Sequence, residues 1–519
     1  MKVGLTLGCL FALLSAWGQE GWSAAQKRLF EEGDFAFYQG DYAYAESVFD
    51  QLRQEAPLTG ALAWRSAACR LERGSVDNPI ELWLEQAVED GELPALFYQG
   101  RLYHLTYRLD QAIETYTRYQ QSGDADVERL GVARYLDQCW YGLQQVAHPV
   151  DVVIDNLGPT VNTEHPEYVP VIDGAGQELY FTSRRPETTA RLIDPTGQYF
   201  EDIYRTRFED GLWQPAQNAG LQLNSETHDA TVSRSADGKQ MLVYRTNPNL
   251  TGGDLYLTHK TDKGWGPLEK LGDEINSVHQ EPSACLSVDG DVLIFASDRP
   301  GGYGGKDLYR VRRLPNGDWS LPRNLGPTIN TEFDEDAPFL TADGAALYFA
   351  SKGHLTMGGY DLFRSNQNVP DVWTKPANLG YPVNTVGDDI YLSLDASGTV
   401  GYFSSARLGG FGSLDLYRVR FVERDKQFIV MHGEAMDPSG APVAATITVL
   451  DQQSQEVQGI YNAKAETGKF ILVLNPLVTY KLFIEAIGYQ TMQDEIYLTP
   501  EGKEVSETRT APYILSPQR

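Results

Sequence analysis

The chain has 519 residues, a formal charge of -28 and an isoelectric point near 4.7. That length exceeds one ordinary core and predicts several domains. The excess of carboxylates excludes nucleic acid and anionic lipid surfaces, whose binding runs on clustered Lys and Arg.

The text opens MKVGLTLGCLFALLSAWGQE: a cation at Lys2, an apolar stretch from Val3 to Leu14, then Ala16 and Gly18 at the small-residue spacing read by a signal peptidase. This predicts a leader over residues 1–18, cleaved before Gln19, and a periplasmic chain. Lipidation at Cys9 is disfavoured, because Cys9 follows only part of the apolar segment and Leu7 is bulkier than the residue expected there. No later run approaches the eighteen or so apolar residues of a membrane span, so none is expected. Beyond the leader, Cys69, Cys139 and Cys285 are an odd and sparse set. They are expected as buried thiols, not as a disulfide framework.

Residues 26–57, QKRLFEEGDFAFYQGDYAYAESVFDQLRQEAP, read as a helix pair. Gly33 and Ala45 let the helices approach, Tyr42 and Phe49 fill the seam, and Pro57 ends the second helix. Weaker copies follow with Trp64, Ala68 and Ala87, and with Gly100, Tyr103, Ala112 and Tyr116; a helix over 127–143 caps them. The frame resembles the tetratricopeptide repeat (TPR). The resemblance implies an all-α TPR array over residues 19–148 with protein partners on its concave side, a spacer being the plainer alternative.

NLGPTINTEFDEDAP, residues 324–338, crowds Glu332, Asp334, Glu335 and Asp336 together and raises the question of a cation-binding loop. Its Asn recurs as Asn162, Asn224, Asn276, Asn330 and Asn384, at intervals of 62, 52, 54 and 54, so the loop belongs to a repeat. Five residues after each Asn stands an acid: Glu167, Asp229, Glu281, Glu335 and Asp389. A turn glycine and a strand follow, as in GQELYFTS or GAALYFAS, then a DLY-type strand beginning at Asp202, Asp254, Asp307, Asp361 and Asp415. Trp213, Trp265, Trp319 and Trp373 mark a fourth strand. Four short strands at this period predict an all-β five-bladed propeller over residues 149–426. The fifth unit lacks its Trp strand, and PVDVVIDNLG at 149–158 is expected to supply it and close the ring. Blade one carries an insertion between Arg185 and Glu201. The wording resembles the PD40, or WD40-like, propeller repeat of TolB-type periplasmic proteins.

The five acids open the strand nearest the axis and are expected to form an axial ring. Carboxylates about 8 Å apart at an effective dielectric of about 20 repel by roughly 2 kcal/mol, so the ring needs compensation. Arg185, Arg245, Arg299, Lys352 and Arg407 lie near the ends of the second strands and supply it. Structural ion pairs are the leading reading, with a bound cation or a catalytic site as rivals. His165, His228 and His279 flank the acids in three blades, but Phe333 and Gly387 take the comparable places in the others, which argues against a metal site. EF-hand spacing is absent. No GxSxG, HExxH, CxxC or phosphate loop occurs, so no enzyme activity and no cofactor are expected. Glycosidases need two carboxylates in unlike surroundings, and acids sharing one frame should look alike. A glycan-binding or glycan-cleaving ring is the alternative function.

From Phe428 onward, FIVMHGEAMDPSGAPVAATITVLD and TGKFILVLNPLVTYKLFIEAIGYQ alternate as strands. They resemble the carboxypeptidase-regulatory-like domain, which implies a small all-β sandwich and tail over 427–519. The whole order resembles the PorE-type envelope proteins of Bacteroidota that serve the type IX secretion system. That resemblance implies a non-enzymatic scaffold holding protein partners, outer-membrane secretion components among them, at the inner face of the outer membrane. In that family an OmpA-like domain binds peptidoglycan; here Arg519 follows soon after the sandwich, so direct peptidoglycan binding is not expected.

Overall fold

The computed structural model describes residues 21–518 except 195–196, 236–237, 370, 422–428, 453–456, 475–478, 498–505 and 509–510. The leader expected over 1–18 therefore lies outside the described residues. The chain divides into two compact units, Met1–Phe421 and Val422–Arg519.

Seven helices are described in the first unit: α1 Ala24–Tyr38, α2 Tyr42–Glu55, α3 Gly60–Glu72, α4 Asn78–Glu89, α5 Leu93–Leu105, α6 Leu109–Gln120 and α7 Val132–Ala147. Ser23 and Gln26 form a capping box that starts α1, and the Asp41 carboxylate accepts from the Tyr44 N–H to start α2. Gly33 faces Phe49, and Gly100 faces Tyr116, so closely that a Cβ on either glycine would stand 2.6 Å from the ring opposite. Only glycine lets these helices meet.

The helices are not a free-standing all-α array. They share one compact unit with the sheets, and α5 and α7 are bonded to propeller loops. His104 Nε2 donates to the Met357 carbonyl at 2.7 Å. Gln138 donates to Thr356 Oγ1 at 3.0 Å and to the Gly358 carbonyl. The Arg134 guanidinium lies 3.7 Å over the Phe333 ring, and Val386 is buried in the helices' own core. The expectation of a separate TPR domain is corrected accordingly: the helices are one layer of a mostly β chain with thirty-one described strands.

Five antiparallel sheets make up the rest of this unit, with inner strands Glu167–Ile172, Asp229–Arg234, Ala284–Leu286, Glu335–Leu340 and Asp389–Leu394. Each inner strand adjoins the next, and the fifth adjoins the first. The outer strand of the fifth sheet is Val152–Asn156, paired antiparallel with Asp415–Phe421, so Val152 faces Phe421 and Asn156 faces Tyr417. The ring is thus closed by chain that precedes blade one.

The recurring Asn explains how neighbouring blades are held. Asn162 Oδ1 accepts from the Leu416 N–H at 2.9 Å, and its Nδ2 donates to the Leu416 carbonyl at 3.0 Å. Asn224, Asn276, Asn330 and Asn384 repeat this on Ile203, Leu255, Leu308 and Leu362. Each Asn satisfies both backbone groups of the preceding blade's third strand, where an unpaired group costs about 1–3 kcal/mol.

The second unit has two four-stranded sheets. One orders Val457–Asn462, Thr446–Asp451, Thr479–Glu485 and Met492–Tyr497; the other is built on Ile429–Met436. Ile447, Val449, Leu472, Leu482 and Tyr513 fill its core.

Candidate functional site

The five frame acids are at most 1% exposed, and each is spent inside its own blade. Each carboxylate accepts from the N–H and hydroxyl of the residue after the clamp Asn: Thr163, Ser225, Ser277, Thr331 or Thr385. Arg185 pairs with Glu167 at 3.1 Å, Arg245 with Asp229 at 2.5 Å, Arg299 with Glu281 at 3.0 Å and Arg407 with Asp389 at 2.9 Å. Each of these guanidiniums also donates to the carbonyl preceding the clamp Asn. Burial raises the carboxyls of Glu167, Asp229 and Asp389 above their usual range, and the arginines and hydroxyls pull them back. The five acids are thus engaged within their own blades, four of them by the arginine named from the sequence.

Blade four departs from the frame. Lys352 does not reach Glu335; its Nζ lies 3.4 Å from Asp334 and 4.6 Å over the Tyr360 ring. Gly353 stands where the other blades carry Arg185, Arg299 and Arg407, and its N–H donates to Ser351 as theirs do to Ser183, Ser297 and Ser405. The Ile329 carbonyl is taken by His354 Nε2 instead. With no cation beside it, Glu335 is pushed up by burial to about 7.

The three flanking histidines do not converge. His165 packs edge-on to Tyr199, His228 stacks on Phe200, and His279 lies 3.9 Å from Asp298. Among the described residues no group of three His, Cys, Asp or Glu side chains is placed to hold a metal ion.

A different set does converge. One residue beyond the frame acid, the blades carry Tyr168, Ala230, Pro282, Asp336 and Ile390, all unlike. The residue after it in blades one, four and five, Val169, Ala337 and Tyr391, has φ of 50°, 50° and 62°, each at a break in strand register. Left-handed backbone at a β-branched or aromatic residue is strained, and bulges of this kind re-aim side chains next to functional sites. Tyr168 donates its hydroxyl to Glu201, and Arg184 donates to the same Glu201 oxygen at 2.9 Å and to Asp194 at 2.7 Å. The Glu201 N–H donates to His228 Nδ1 at 3.2 Å. Asp336 accepts from Lys306 Nζ and Ser283 Oγ. Tyr391 stacks on Tyr168 with ring centroids 6.4 Å apart. Its phenol is pushed well above the usual range by burial and then by Asp336 and Glu201.

Glu201 and Asp336 thus flank one tyrosine pair from different blades and in different surroundings. A cavity of about 470 Å³ begins at Val169, Ala337 and Tyr391 and runs along the axis to the turns that join inner and second strands. The sequence frame singled out the regular acids and passed over these residues. The signal for Tyr168 and Asp336 lay in their breaking the repeat, and that for Glu201 in its place at the end of the blade-one insertion.

No known protein family matches the chain, and no curated relative does. Three solved chains illustrate what it is similar to. One is an α-L-arabinofuranosidase from Lactobacillus brevis, 11% identical, with 56% of this chain and 95% of that one covered and a TM-score of 0.33. Another is an α-L-arabinanase from Penicillium chrysogenum complexed with arabinobiose, 10% identical, covering 61% and 97%, TM-score 0.31. A third is a compost-metagenome GH43 β-xylosidase/α-arabinofuranosidase, 10% identical, covering 52% and 94%, TM-score 0.35. Likeness of this size carries no chemistry across.

The resemblance to PorE-type, tetratricopeptide-bearing secretion proteins is withdrawn. No family model matches it, and the helices share one compact unit with the propeller sheets. The expected role in type IX secretion and protein transport falls with it. The expectation of a non-enzymatic chain is corrected as well. It rested on missing catalytic motifs and on acids that share one frame and look alike, whereas Glu201 and Asp336 share neither frame nor surroundings.

Proposed function

We propose that the protein is a glycan-cleaving five-bladed propeller and that its reaction takes place between Glu201 and Asp336. The observation that carries this reading is the pair itself: two carboxylates outside the repeat, in unlike hydrogen-bond settings, both acting on the Tyr391 phenol. Glycoside hydrolysis asks for that division of labour. One carboxyl gives its proton to the leaving oxygen as the glycosidic bond breaks. The other carboxylate, across the sugar, attacks the anomeric carbon or takes a proton from the water that does. Glu201 is held by Arg184 and Tyr168, and Asp336 by Lys306 and Ser283, so the two stand in unlike settings on either side of the tyrosine pair. Tyr168 and Tyr391 offer stacked rings with polar tips, suited to a sugar face.

The test is release of reducing ends by the purified chain from a panel of pentose and hexose oligosaccharides. Glu201→Gln and Asp336→Asn should each lower the rate about a hundredfold or more in chains that still fold, as circular dichroism checks. Cleavage of none of the panel, or full activity in both variants, would overturn the proposal.

A further inference from the structure

The cavity has a second end, away from Glu201 and Asp336, where the turns between inner and second strands meet solvent. We propose that this turn end is a separate binding site for a small amphipathic carboxylate. Its walls are apolar, with Val171, Val232, Leu286, Phe339 and Leu394 among the lining residues. Set in that lining are Arg364, Tyr348 and Ser393. The Ser393 hydroxyl is buried and has no partner among the described residues. Tyr348 is 8% exposed, its ring lies 5.6 Å from the Arg364 guanidinium, and no hydrogen bond to either of these two side chains is found among the described residues.

At this register two of the arginines are ion-paired, while Arg364 and the blade-one Arg205 have no ion pair among the described residues. Arg310 is held by Asp371 and Arg418 by Asp155. Arg364 is unspent. The carboxylates at the mouth are already engaged: Asp343 accepts from the Thr341 hydroxyl and Ala345 N–H, and Asp395 from the Ser397 hydroxyl and Val400 N–H. What the site offers is an exposed guanidinium, a phenol and a buried hydroxyl without a partner among the described residues, above an apolar floor. Buried polar groups in native proteins are paired, and charge-assisted bonds to a carboxylate are the strongest such pairing. Some 470 Å³ lies within the range of pockets that enclose a small organic ligand.

Calorimetric titration of the full chain with phenylacetate and octanoate, and with phenylacetamide as the uncharged match, tests this. At least one anion should bind, and Arg364→Gln should weaken it by about tenfold or more. Ser393→Ala should weaken it less, and neither change should move the melting temperature. Glu201→Gln should leave anion binding intact, since the proposal does not depend on the reaction at the other end. The idea is overturned if both anions fail to bind at millimolar concentration, if the amide binds as tightly as phenylacetate, if Arg364→Gln binds as well as wild type, or if Glu201→Gln abolishes binding.

Discussion

Replacing Glu335 by Gln should stabilise the propeller in mild alkali and change little in mild acid. Glu335 is fully buried and is the one frame acid with no arginine beside it, so burial pushes it from an ordinary 4.5 to about 7. Between those values the folded chain holds a proton that the unfolded chain releases. Stability from this group is therefore complete below about pH 4.5 and is lost as pH rises through 7. The gap corresponds to about 3 kcal/mol, an upper bound for what the amide can recover. Gln keeps the shape, and the Thr331 and Ser351 hydroxyls can rotate to accept from its amide N–H. The assay is the urea midpoint of wild type and Glu335→Gln at pH 5, 6, 7 and 8 at fixed ionic strength. The two should coincide near pH 5, and the variant should lead by about 1–3 kcal/mol at pH 8. A difference that stays constant across this range would refute the reasoning.

The same change in blade three should have the opposite sign. Glu281→Gln removes the counter-charge of Arg299, whose side chain is only 12% exposed and would keep just Ser297 and two backbone carbonyls. Leaving a buried cation unpaired costs about 3–5 kcal/mol. The loss should appear at every pH in the same urea series.

Two further outcomes are expected. Asn162→Ala breaks the clamp that joins blade one to blade five across 254 positions of chain; a loss of about 2–4 kcal/mol in chemical denaturation is expected, since two buried backbone groups lose their partners. Cys69, Cys139 and Cys285 are buried, and burial pushes each thiol up to about 12. They should resist alkylation at pH 8 in the folded chain and react once it is unfolded, as mass spectrometry of the labelled protein would show.

The propeller was legible in the text because it is periodic. One misread position among five is corrected by the other four, and the clamp Asn, the frame acid and the DLY strand all recur with their hydrogen bonds. The relation of helices to sheets was not legible. His104, Gln138 and Arg134 fit a helical pattern equally well whether they face solvent or a loop 199 or more residues away. Lys352 was misassigned for a similar reason. Its place near the end of the second strand suggested a partner for Glu335, and the fold sends its side chain to Asp334 instead.

Repetition also explains why the candidate site escaped a reading based on repeats. A motif that recurs in every blade answers a need that recurs in every blade: clamping the next sheet, covering a strand end, pairing a buried acid. A reaction on an unsymmetrical substrate has no five-fold need. Its residues must differ from blade to blade, as Tyr168, Asp336 and Ile390 do at one register position. The three left-handed bulges at Val169, Ala337 and Tyr391 sit one step further along, where backbone strain re-aims the irregular side chains without disturbing the clamps on either side. On this argument the residues worth changing first are those at which the repeat fails while the surrounding frame remains intact, and Glu201 and Asp336 meet that condition.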